Sequence, residues 1–169
     1  HKRNGLLYRT NLPTQSPIQL YADADFAGSG TRKSTSGYVI RYHDSVIHWS
    51  SKLQSTIAES TTEAETRSLT EGARDALFIV RLQHELLGIL ELPIQGFEDN
   101  HATYDGCTLN VSNSRLKHVE VMYFKVQEYI KNNILTLKLI GTLEQQADIL
   151  TKTLPPRTFI PLKRKLMYI

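Results

Sequence analysis

The sequence predicts an α/β fold built on a mixed sheet, on three grounds. Three strand-like stretches come first and in succession, so the sheet opens antiparallel. Over about residues 62–87 the apolar period changes from two to between three and four, which marks an amphipathic helix. Strand-like and helical stretches then alternate, and a helix between two strands favours a right-handed crossover that makes those strands parallel.

Taken in order, residues 10–17 (TNLPTQSP) are turn-rich and divide a connecting segment, 1–17, from a domain, 18–169. In IQLYADADFAG, residues 18–28, apolar and polar residues alternate from Ile18 to Ala22, and the strand then stops on Asp23 and Asp25. A loop of small and polar residues follows. GYVIRYH and SVIHWSS, joined around His43, Asp44 and Ser45, form a hairpin. Leu69, Ala73, Ala76, Leu77, Val80 and Leu87 make the apolar stripe of the long helix, and Gly88 is its stop. LPIQGFED is a short strand ending on a second acidic pair. NHATYDGCTLN is weakly patterned, with Gly106 interrupting any helix. Residues 115–132 read as a helix, 134–141 as a strand and TLEQQADILTKTL as one short helix stopped by Pro155 and Pro156, before a basic amphipathic tail.

The 169 residues suit one domain with a real core, and 40% apolar with 22% charged residues is ordinary globular composition. No apolar run approaches the roughly 18–20 residues that span a bilayer, so no membrane partner is expected. The N-terminal stretch lacks the apolar core of a signal peptide. It begins without Met, and is expected to continue a longer chain. Cys107 is the single cysteine, which excludes an internal disulfide and fits a reducing compartment and a buried, inert thiol. The net charge of +3 is compatible with a polyanionic partner and does not require one.

Chemistry is concentrated in four acids. Asp23 continues the Gln19, Tyr21 face to the end of its strand, although an Asp there also makes an ordinary turn. Glu65 lies four residues before Leu69 and shares its inward stripe, so its carboxylate needs a partner. Two capping boxes compete at this helix start: Thr62 with Glu65, and Ser60 with Glu63, the second leaving Glu65 free. Asp99 stands at a strand end before Asn100, a pair that also serves as a turn or cap. Asp148 sits beside the Leu143, Ala147, Leu150, Leu154 stripe, at the border of core and solvent. If the first strand and residues 93–99 are parallel neighbours, Asp23 and Asp99 meet at the carboxyl edge, where open α/β sheets bind ligands. Four carboxylates in one place repel unless cations neutralise them, and oxygen ligands without His or Cys suit Mg²⁺ or Mn²⁺. Two such ions are the machinery of in-line phosphoryl transfer. The residues alone therefore point to a metal-dependent phosphodiester enzyme.

DADFAG, RKSTSGYVI, IHWSSKLQSTIAESTTEAE, EDN, RLKHVEV and EQQADILTKTLP resemble, in order, the ribonuclease H domain of copia-type LTR-retrotransposon polyproteins. The resemblance runs from about Gly5 to the end. It implies a ribonuclease H-like fold, a five-stranded mixed sheet flanked by helices, and cleavage of the RNA strand of RNA/DNA hybrids with two Mg²⁺ or Mn²⁺ ions. Its catalytic acids fall on Asp23, Glu65, Asp99 and Asp148. Asp25 also matches the motif, but the catalytic place is that of the first Asp. The resemblance further implies an upstream reverse transcriptase domain as partner, and a cytoplasmic virus-like particle or the nucleus as location. The loop after Asp25 is shorter and less acidic than in relatives, and Thr66 and Arg67 replace an aromatic and aliphatic pair.

Secondary candidates are weaker. His118 belongs to a family motif and is weighed as an aid to catalysis against a merely packed or solvated helical His. Arg32, Lys33 and Ser34 follow the acidic strand and are weighed as phosphate contacts against a solvated loop. Trp49 is expected to pack in the core of its hairpin. Lys163, Arg164 and Lys165 mark the solvated face of a docking helix. Two other readings stand beside the enzyme: a non-catalytic nucleic-acid-binding or docking domain, and a DNA nuclease or transposase. The first would be favoured by loss of an acid; none is lost.

Overall fold

The computed structural model describes residues 5–6, 18–43, 45–109 and 117–167, without the side chains of 117–120. Most of the expected 1–17 segment thus lies outside the described residues. Strands β1 (Ile18–Asp25), β2 (Thr35–Tyr42) and β3 (Ser45–Leu53) precede helix α1 (Thr61–Leu87), strand β4 (Ile94–Glu98), helices α2 (His101–Thr108) and α3 (Lys117–Lys131) and strand β5 (Leu135–Leu139). A 3₁₀ turn (Thr142–Glu144) leads to α4 (Asp148–Thr151) and α5 (Pro156–Leu166).

The five strands lie in the order β3-β2-β1-β4-β5. β1 pairs antiparallel with β2 from Ile18 opposite Tyr42 to Asp25 opposite Thr35, and parallel with β4 through Tyr21 opposite Phe97. Continuing that register by two residues brings Asp23 beside Asp99. β4 and β5 are also parallel. The mixed sheet read from the sequence is therefore the one observed.

Alternation along β1 sends its residues to two unequal cores. Ile18, Leu20 and Ala22 meet Leu69, Ala73, Ala76 and Val80 of α1, with Ile94, Cys107, Val126 and Leu135 completing the larger cluster. Each such large side chain, once buried, contributes on the order of 1.5–3 kcal/mol. Tyr21 and Val39 face the other way onto Ala147, with Phe97, Leu150 and Leu166 around them. The rings of Tyr21 and Phe97 stack at 4.4 Å. This second cluster seats α4 against the sheet.

Four expectations are corrected. Residues 101–108 form a helix despite Gly106, because the Asn100 side chain caps it by accepting from the Thr103 amide at 3.0 Å and places Thr103 and Cys107 on one buried face. TLEQQADILTKTL does not form one helix: it splits into the 3₁₀ turn and α4, with Gln145 buried between them. Pro155 and Pro156 therefore start α5, where a proline lacking its N–H costs nothing, instead of stopping α4. Trp49 is 55% exposed, since β3 is the edge strand and its outer part extends past the smaller cluster. Gly88, with φ 69°, ends α1 as read.

Candidate functional site at the carboxyl edge of the sheet

β1 runs straight into the site. Asp23, fully buried on the α4 face, is held by two consecutive residues of the α4 end: the Thr151 hydroxyl donates to Asp23 Oδ2, and the Lys152 ammonium lies 2.8 Å from Oδ1. The same ammonium lies 3.0 Å from Asp148 Oδ1, one helical turn earlier. α4 can come this close because Gly37, directly opposite Asp23 on β2, has no side chain. A Cβ there would stand 2.4 Å from Thr151 Cγ2 and 3.1 Å from Leu150 Cβ.

Glu65 reaches the edge from the other face. Ser60 caps α1 by accepting from the Glu63 amide at 3.1 Å, and Glu63 turns back to accept from the Glu59 amide at 2.7 Å. Of the two caps the sequence allowed, this one leaves Glu65 free. Its Oε2 accepts from the Ala24 amide at 2.8 Å, so the carboxylate sits against the backbone between Asp23 and Asp25. Gln54 pins the same helical turn by donating to the Ala64 carbonyl at 3.0 Å and to Ser36 Oγ at 2.8 Å.

β4 delivers two acids to opposite sides. Alternation through Ile94 and Gly96 turns Glu98 inward, and it is fully buried. Its Oε1 accepts from the amides of Asp99 at 3.1 Å and Asn100 at 3.0 Å, while Oε2 has no hydrogen-bond partner among the described residues. Asp99 is half-buried, and its Oδ1 lies 3.5 Å from Gln145 Nε2. That amide also donates to the Ala22 carbonyl at 2.8 Å, tying the segment before α4 to β1.

Burial dominates the electrostatics. It pushes Glu65 up to about 10, with Asp23 and Glu98 adding repulsion. Glu98 is pushed up to about 8, mainly by burial, against the two amides that favour its charged form. Asp148 is raised to about 6, by burial first and then by Asp23, with Lys152 opposing. Burial alone would lower Lys152, but Asp23 and Asp148 outweigh it and hold the ammonium above its usual range. The edge thus carries more negative charge than one lysine neutralises.

The donor set fits hard divalent ions. It is made of carboxylate oxygens, the buried Glu98 Oε2 has no partner among the described residues, and a cation, the Lys152 ammonium, already stands between two of the acids. Among the described residues no three His, Cys, Asp or Glu side chains converge as a ready-made metal cage. The position between Asp23 and Asp148 is held by lysine.

The structure gathers Asp23, Glu65, Asp99 and Asp148 at one edge, and the Asp148 carboxylate is buried, not at the solvent border the sequence suggested. Asp25 ends β1, and its carboxylate lies over Gly28 of the following loop, where a Cβ would fall 1.8 Å from Oδ2. Arg32 is exposed and Lys33 half-buried. Ser34 is corrected as a phosphate contact, because it is fully buried and its Oγ accepts from the Ala27 amide at 3.2 Å. The side chain of His118 lies outside the described residues. Sequence reasoning missed Glu98, Gln145, Thr151 and Lys152. Strand alternation could have flagged Glu98, and the four-residue spacing from Asp148 could have flagged Lys152. Nothing local marks Gln145.

Sheet order, helix placement and acidic edge define a ribonuclease H-fold domain. The N-terminal RNase H domain of Rv2228c from Mycobacterium tuberculosis superimposes with a TM-score of 0.58 at 16% identity, covering 89% of this chain and 98% of that one. LC11-RNase H1, solved in complex with an RNA/DNA hybrid, gives 0.59 at 18% identity, over 79% of this chain and 93% of that one. The foamy viral protease-reverse transcriptase, also solved with an RNA/DNA hybrid, gives 0.61 at 13% identity, over 85% of this chain and 21% of that one. No protein-family model matches the chain. By sequence it is 35% identical over 140 residues to the retrovirus-related Pol polyprotein from transposon TNT 1-94 of Nicotiana tabacum, which covers 82% of this chain and 10% of the polyprotein. The corresponding polyprotein from transposon RE2 of Arabidopsis thaliana is 33% identical over 150 residues, 88% of this chain and 10% of its own length. The chain thus spans about a tenth of the length of these relatives. By fold and by relatives, it belongs with the ribonuclease H domains of retrotransposon Pol polyproteins.

Proposed function

We propose that this domain is a metal-dependent endonuclease that hydrolyses the RNA strand of RNA/DNA hybrids during reverse transcription of a copia-type retrotransposon. The observation that carries the reading is the meeting of Asp23, Glu65, Asp99 and Asp148 at the carboxyl edge of β1 and β4, from four separate elements. The hybrid complexes of two fold neighbours support the substrate class. Asp23, Asp99, Glu65 and Asp148 would hold two Mg²⁺ or Mn²⁺ ions, which supply an activated water and stabilise the leaving oxygen when bound. The chain's own part is positional. Thr151 fixes one oxygen of Asp23, the Ala24 amide orients Glu65, and Gln145 steadies Asp99. Arg32 and Lys33 extend the site toward backbone phosphates, contacts that position a duplex without reading its sequence. An upstream reverse transcriptase of the same polyprotein, in a cytoplasmic virus-like particle or the nucleus, completes the setting.

The test is cleavage of labelled RNA/DNA hybrid, double-stranded RNA and double-stranded DNA, with Mg²⁺ and then with EDTA. Hybrid-selective, EDTA-sensitive cleavage is expected, falling by at least about 10²–10³ in Asp23→Asn and Asp99→Asn. Hybrid binding without cleavage would replace the enzyme with a non-catalytic binding domain. Cleavage of double-stranded DNA alone would point to a DNA nuclease.

A further inference from the structure

Among the described residues, Lys152 is the one that carries positive charge into the acidic edge. Its Nζ is 2.8 Å from Asp23 Oδ1 and 3.0 Å from Asp148 Oδ1, and among the described residues no other cation is ion-paired with either acid. We propose that Lys152 is a resident counter-cation, holding the position between Asp23 and Asp148 in the metal-free protein and leaving it when a divalent ion binds there. This rests on the reading of the edge as a metal site.

Three features support displacement. The first is spacing. A divalent ion ligated by these oxygens would stand about 2.0–2.1 Å from them, and an ammonium at its present distance from the same two atoms would be forced against it. Like charges so close, in a buried setting, exclude one another. The second is charge. One ammonium is shared by Asp23 and Asp148, with Asp99 close enough to repel Asp148, whereas a divalent ion brings twice the charge to the same oxygens. The third is an exit. The two acids are buried, but the Lys152 side chain is 33% exposed, so its flexible stem can swing out without unpacking the core. Thr151 stays behind on Asp23 Oδ2, keeping that carboxylate oriented while the ammonium moves.

The test is calorimetric titration of the metal-free full chain with Mg²⁺ and with Mn²⁺, comparing wild type, Lys152→Met and Lys138→Met. Lys138 is exposed on β5 and controls for removing a positive charge elsewhere. Lys152→Met is expected to bind divalent ions about tenfold more tightly or better, and Lys138→Met within about twofold of wild type. A wild-type measurement covers the case in which the variant does not fold: the ¹⁵N signal of the Lys152 ammonium should shift on saturation with Mg²⁺. Unchanged or weaker affinity in folded Lys152→Met, equal gains in both variants, or an unmoved ammonium signal would each overturn the proposal. If the wild type cleaves hybrid while one of those results is found, only the lysine's role falls. If the wild type neither takes up metal nor cleaves, the proposed function falls with it.

Discussion

On the α4 face of the sheet edge, Asp23 and Asp148 share an ammonium; on the α1 face, Glu65 and Glu98 have backbone amides and no ion-paired cation among the described residues. The difference shows in their acidities. Asp148, with lysine beside it, is raised only to about 6, while Glu98 reaches about 8 and Glu65 about 10, burial being the leading cause in each. A buried carboxylate can be tolerated through a counter-charge or through a proton, and this domain uses one on each side of β1. The α4 face is therefore built around a cation, and the α1 face holds its acids close to neutrality.

The largest effect expected from this contrast is on stability against pH. Glu98 and Glu65 both have folded pKa values above the usual carboxylate value of 4.5. Above that value the folded state holds protons that the unfolded state has released. Their contribution to the stability of the metal-free protein is then fully present below about pH 4.5 and is lost as pH rises, through about 8 for Glu98 and about 10 for Glu65. The slope per group reaches at most about 1.4 kcal/mol per pH unit. Denaturant unfolding between pH 5 and about 9 checks this. Glu98→Gln keeps an acceptor for the Asp99 and Asn100 amides, and should flatten the curve and raise stability near pH 8. A slope unchanged in Glu98→Gln would remove the proton from the α1 face.

The next effect acts on the opposite face. Gly37→Ala would drive a Cβ into Thr151 and Leu150, displacing α4 at a cost of about 1–3 kcal/mol. Because α4 carries Asp148 and leads into Lys152, metal-ion affinity should weaken as well, while the raised pKa of Glu98 persists. Metal titration together with the pH–stability curve separates the two. If Gly37→Ala altered the pH slope and left metal affinity intact, the two faces would not be independent. The smallest effect is that of Thr151→Val, which removes one hydrogen bond to Asp23 without adding bulk. About 1 kcal/mol of stability should be lost, measurable by the same unfolding experiment. No loss would mean that Lys152 alone holds Asp23.

Much of this site was legible in the chain. Period-two alternation put Asp23 at a strand end, helical spacing aimed Glu65 inward, and the Ser60 cap was one of two arrangements weighed. These are local features, fixed by dihedral periodicity and by side chains reaching three or four residues. What stayed hidden lies across long separations: Thr151 and Lys152 meet Asp23 from 128 and 129 residues away. The sequence likewise placed an acidic pair at the end of β4 but singled out only Asp99. The β1–β4 register and the buried α1 face decide that Glu98 turns into the core. TLEQQADILTKTL has a helical stripe throughout, which predicts one longer helix where the structure has a 3₁₀ turn and α4. Burial of Gln145, whose amide is spent on the Ala22 carbonyl and Asp99, breaks that stripe into a turn and a four-residue helix.

The sequence by itself thus determined most of the elements and the mixed sheet, and set the four acids at element ends, because strand and helix periods and caps are set by neighbours along the chain. Only the tertiary structure decided which charge neutralises which. Gly37 lets α4 approach β1 and β2, and that close approach places an ammonium where two buried carboxylates would otherwise repel.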